Sequence, residues 1–180
     1  MKSLQQYHIP FTGLKLGKHQ FDFDIDEAFF QEFEYSLVKK GNLKVALEMD
    51  KQETMLILHF HIKGDIFQAC DLCLGDFPTP LEIKEKEIVK FSNDTNLEDN
   101  TDEIIVLTKN EHELNVAELI YEYIMLAVPM FNRCEDEGNT EWCDREVLDK
   151  LQNLSAPAEE EKEENLADPR WEALKNIKNK

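Results

Sequence analysis

Four cysteines constrain this chain more than any other feature: Cys70-Asp71-Leu72-Cys73, and then, far along the sequence, Cys134 and Cys143. Two thiols separated by two residues reach a single metal ion, and four converging sulfurs form a closed tetrahedral zinc site. The gap between the pairs is wide, so only a folded domain brings them together. At 180 residues the chain is long enough for one core and a tail. The first six residues carry no apolar stretch behind a positive start, and the longest apolar run, residues 124–128, is far too short to span a bilayer. The expectation is a cytoplasmic protein with no membrane partner. In that compartment paired cysteines are metal ligands or redox groups rather than staples.

The redox alternative asks for a pair at a helix N-terminus, where thiol pKa falls. Here a turn containing Pro78 and Pro80 and then a strand follow Cys73, which favours structural zinc, with Cys70, Cys73, Cys134 and Cys143 as ligands. Eight residues separate the last two, so His112 or a carboxylate is an alternative ligand, and four unligated thiols are the plain alternative. His59 and His61, two apart on one strand face, are a second metal candidate beside the simpler reading of a solvated face.

Alternation places strands at residues 21–26, 43–49 and 54–67, and further strands are read at 81–91 and at the short apolar run 103–107. Residues 56, 58, 60 and 62 point one way and 59, 61 and 63 the other. Gly64 predicts a bulge or bend. The charged run 82–87 predicts an edge strand. Asp26 caps a helix that carries Phe29, Phe30, Phe33 and Leu37 and stops at Gly41. Asn115 and Glu118 form a capping box for a helix to Val128, ended by Pro129. Leu148, Leu151 and Leu154 mark a further helix. The predicted fold is α+β, a mainly antiparallel sheet packed against the 26–40 and 115–128 helices. Residues 1–154 form the domain, 155–167 an acidic flexible linker, and 168–180 a short C-terminal helix opened by Asp168-Pro169.

The formal net charge of −18 argues against gripping naked nucleic acid, which needs Lys and Arg to displace counterions. It favours a basic partner. The terminal helix is locally basic, and Arg170, Trp171, Leu174 and Lys175 are candidate partner contacts, with docking onto the chain's own domain as the alternative. No glycine-rich phosphate loop, nucleophile elbow or His-Glu-x-x-His helix is present, so no residue is assigned to catalysis.

The order of these pieces resembles one family. A strand leads into Cys70-x-x-Cys73-Leu74 with Phe77 behind it. An acidic middle follows, then a helix ending Leu126-Ala127-Val128-Pro129 with cysteines after it, then Asp168-Pro169-Arg170-Trp171-x-x-Leu174. This is similar to the YceD family (DUF177), the large ribosomal RNA subunit accumulation proteins. The chain departs from the family pattern in two places: Asp71 and Leu72 stand where many members carry an Arg, and the second cysteine pair is wider. The resemblance implies a cytoplasmic ribosome-biogenesis factor that supports accumulation of large-subunit rRNA. It carries over no catalytic residue. Combined with the charge, it points to a large-subunit precursor or a basic ribosomal protein as partner. The rival readings are a metal-dependent rRNA-processing enzyme and a zinc-stabilised adaptor unrelated to ribosomes.

Overall fold

The structure, a computed structural model, describes residues 3–92, 104–108, 111–134 and 140–154. The linker and terminal helix expected over 155–180, with Arg170, Trp171, Leu174 and Lys175, lie outside the described residues. The chain divides into two units, Met1–Asp144 and Arg145–Lys180.

In the first unit a turn of 3-10 helix, Ser3–Tyr7, leads into β1 (His8–Ile9). Then come β2 (Gly17–Ile25), α1 (Glu27–Gln31), β3 (Lys40–Lys51), β4 (Met55–Ala69), β5 (Asp76–Ser92), β6 (Ile104–Thr108), β7 (Leu114–Asn115) and α2 (Ala117–Ala127). The main sheet runs β2-β3-β4-β5-β6, and β1 pairs with β7 in a separate small ribbon. All pairs are antiparallel except β5 with β6, which is parallel. The second unit contains α3 (Arg145–Leu154), where the leucine spacing predicted a helix.

Period-two patterning made these strands legible. Leu43, Val45, Leu47 and Met49 of β3 and Leu56, Leu58, Phe60 and Ile62 of β4 form one buried face, while His59, His61 and Lys63 are exposed on the other. Tyr7, Ile9, Phe29, Phe30, Ala117, Ile120 and Ile124 cover the buried face. The sheet is therefore packed on one side and open to water on the other.

Several expectations need correction. The helix predicted over 26–40 is one short turn. Asp26 does cap it, its Oδ1 accepting the Phe29 N–H at 3.2 Å, but the helix ends at Gln31. Beyond it, the buried Ser36 hydroxyl donates to the Val38 carbonyl at 2.6 Å, a local bond that competes with the helical ladder. Val38 turns inward while Leu37 faces out, so the supposed helical stripe breaks at Leu37. Gly41 is not a helix stop but part of β3, and a Cβ there would lie 2.9 Å from the Phe30 ring.

Gly64 makes no bulge, because the register runs unbroken through Leu43↔Gly64↔Leu81. Its φ of 153° and the Asn42 carbonyl pressed against it explain the glycine. The charged strand β5 is an edge only in part: β6 covers Ile88 to Ser92. The second helix starts at Ala117 with Val116 as its cap residue. Asn115 Oδ1 still accepts the Ala117 N–H at 3.0 Å, but Glu118 is exposed. No helix among the described residues is long and apolar enough to cross a membrane.

Candidate metal centre

The cysteine site is built by two short segments that the sheet and α2 deliver to the same place. β4 ends at Ala69 and β5 begins at Asp76, leaving six residues to reverse the chain. Within them the Cys70 N–H donates to the Gly75 carbonyl and the Leu74 N–H to the Cys70 carbonyl, both at 2.9 Å. Leu74 takes the left-handed conformation, φ 62°, that this tight knuckle requires. The amides of Leu72 and Cys73 point at Cys70 Sγ at 3.4 and 3.5 Å.

The second segment follows α2. The Asp71 N–H donates to the Asn132 carbonyl at 2.7 Å, and the Asn132 N–H returns a bond of 2.7 Å to Asp71 Oδ2. This two-way clamp sets Cys134 beside Cys73, with the sulfurs 3.8 Å apart. The Sγ atoms of Cys70, Cys73 and Cys134 all lie within 4.8 Å of one another, and all three residues are buried. Cys143 is half-buried and follows a 3-10 turn, Thr140–Trp142; its thiol contacts those of Cys73 and Cys134. Gly75 fits under this turn: a Cβ there would lie 2.7 Å from the Trp142 carbonyl oxygen. The Trp142 ring meets Phe67 edge-on at 6.3 Å.

The donor set suits a metal ion. Zinc bonded to sulfur at about 2.3 Å in a tetrahedron separates its sulfurs by about 3.8 Å, which the Cys73–Cys134 distance matches. All four cysteines are free thiols. Burial alone would push the Cys70 thiol up, but the amides of Cys73, Cys134 and Leu72 outweigh it and bring its pKa down to about 7. Burial and the neighbouring thiols raise Cys134, and burial and the contact with Cys73 raise Cys143. Cys70 is thus easier to deprotonate than a free thiol, and cation binding at such a site releases protons from its thiol ligands.

The remaining candidates lie elsewhere. His59 and His61 sit on the open sheet face, where His61 Nε2 is 3.0 Å from Glu82 Oε1. His112 is exposed, and its carbonyl accepts the Thr12 hydroxyl. Neither belongs to the buried cysteine group. The pair Cys70/Cys73 sits on a turn and not at a helix N-terminus, as its sequence context predicted. Sequence reasoning missed Asp71, Asn132 and Gly75 as the residues that lock the two segments. A glycine two places after Cys73 was the available signal; Asn132 gave none.

Residues 58–178 match the family model described as large ribosomal RNA subunit accumulation protein YceD. The chain belongs to the YceD family. That membership covers the first cysteine pair, α2 and the second cysteine pair. The YlbN protein of Bacillus subtilis (strain 168) is similar at 26% identity over 165 residues, covering 91% of each chain. No solved structure matches. The YceD name links the chain to accumulation of large-subunit rRNA and leaves the partner unspecified.

Proposed function

We propose that this YceD chain is a non-catalytic, cytoplasmic factor in large-subunit biogenesis that binds a basic ribosomal protein or a precursor particle. The observation that carries this is a net charge of −18 in a member of an rRNA-accumulation family. Carboxylates repel phosphates, so an acidic factor acts more readily through the basic proteins of the particle than on bare rRNA. The cysteines hold structural zinc in this reading. Bound there, the ion cross-links the 70–75 turn, Cys134 and the Cys143 segment. With all four cysteines as ligands, a zinc ion would have no open position for a reacting water, which sets this reading apart from a metal-dependent processing enzyme. Arg170, Trp171, Leu174 and Lys175 form a second contact with the particle.

The test is a sucrose gradient of cell extract probed for the protein. Co-migration with particles lighter than the mature large subunit is expected, and deletion of residues 168–180 should weaken it. Migration only at the top, with a normal particle profile after depletion, would overturn the proposal.

A further inference from the structure

The helix α2 has a side that the sheet does not use. Ala117, Ile120 and Ile124 are buried, whereas Glu118, Glu122 and Leu126, spaced four apart on the opposite face, are exposed. Along the N-terminal half of that face runs a cleft of about 440 Å³. Ile105, Leu107 and Leu119 are among its apolar lining, and Glu111, Glu113, Glu118 and Glu122 line it as well. Glu113 has a local partner, His8, at 3.5 Å.

The character changes at Leu126, near the end of the helix, and in the segment just beyond it. Leu126, Met130 and Phe131 are 83%, 87% and 79% exposed. Two other segments are tied to this end. The Ser36 hydroxyl contacts Met125 Sδ at 4.0 Å, carrying exposed Tyr35 and Leu37 with it. The Asp71–Asn132 clamp carries Leu72 and Leu74. Leu126, Met130 and Phe131, exposed within six residues at and just beyond the end of a helix with acidic residues on its open face, mark an interaction site rather than chance exposure.

We propose that this face of α2 docks a basic amphipathic segment of a ribosomal protein. Its Lys and Arg side chains lie over the acid-lined cleft, and its apolar side chains rest on Leu126, Met130 and Phe131. The inference deepens the functional reading above and rests on its basic partner. Charge selects the occupant. Phosphates would meet the four carboxylates of the cleft, and so would a second copy of this acidic chain, whereas a cationic segment is attracted.

The full chain is titrated with a synthetic helical peptide of Lys and Leu, a Lys/Ser peptide of equal charge, and an RNA hairpin. The Lys/Leu peptide should bind at least about tenfold tighter than the Lys/Ser peptide, as buried anchors dominate such interfaces. Leu126→Ser/Phe131→Ser should erase that preference. Glu118→Lys/Glu122→Lys should weaken both peptides and flatten their salt dependence. All four positions are exposed, so unchanged melting is expected, and each double variant tests the surface independently. Equal binding of both peptides, variants indistinguishable from the parent, or preference for the hairpin would overturn the proposal. The same variants on the gradient separate the two claims. If parent and variants alike travel with precursor particles, the surface is wrong and the function stands. A parent confined to the top fails the functional reading, and the peptide titration still decides the surface.

Discussion

At the residue scale, two positions are set by backbone contacts that no neighbouring side chain can relieve, and a third by its backbone conformation. Gly64 combines φ 153° with a backbone so close that a Cβ would overlap the Asn42 carbonyl, and a Cβ on Gly75 would lie 2.7 Å from the Trp142 carbonyl oxygen. Gly64→Ala should cost more than about 2 kcal/mol, and Gly75→Ala about 1–3 kcal/mol, read as shifts in urea midpoint. Leu74→Gly should move the other way by up to about 1 kcal/mol, because only glycine adopts the left-handed conformation without penalty. Tyr7 offers a pH test. Burial raises its phenol pKa, and its hydroxyl donates to the Asp24 carbonyl at 3.0 Å. The folded state therefore holds the proton longer than the unfolded chain, whose tyrosines ionise at about pH 10. Its stabilising contribution is full below that pH and falls as pH rises above it. Urea melts between neutral and alkaline pH should show this fall, and Tyr7→Phe should flatten it.

At the element scale, strands were easier to read than helices. A half-buried strand exposes every second residue, and β3 and β4 bury every apolar position that alternation marked on them. The first helix failed because its apolar residues imitate a helical stripe while serving a different geometry. Phe29 and Phe30 enter the core and Phe33 stacks on Tyr121, with ring centroids 3.9 Å apart. The chain then straightens so that Val38 can follow. Phe30→Ala should cost about 3–5 kcal/mol in urea unfolding, since its ring fills the space left by Gly41. Leu37→Ala, on an exposed side chain, should cost almost nothing. The β1–β7 ribbon, two residues on each side, is too short to leave a periodic signature. The parallel pairing of β5 with β6 was equally hidden, because alternation reports burial and not strand direction.

For the whole molecule, the cysteine centre joins parts of the chain that share no local order. The first pair hangs between two long strands, and the second comes after α2. Metal analysis of protein purified without chelator should find one zinc per chain. Cys70→Ser should lose the metal and lower the melting temperature together, because binding free energy at such a site is folding free energy. Loss of metal with unchanged melting would refute the structural role. The sequence alone determined which residues were chemically able to bind a cation, which strand faces are wet, and the family to which the chain is similar. Those properties follow from residue type, period and spacing, which are local. Only the tertiary structure decided that Cys134 meets Cys73 at 3.8 Å, that Asp71 and Asn132 clamp their two segments, and that one face of α2 remains open. These depend on contacts between residues far apart in the chain, and no local pattern encodes a distance of that kind.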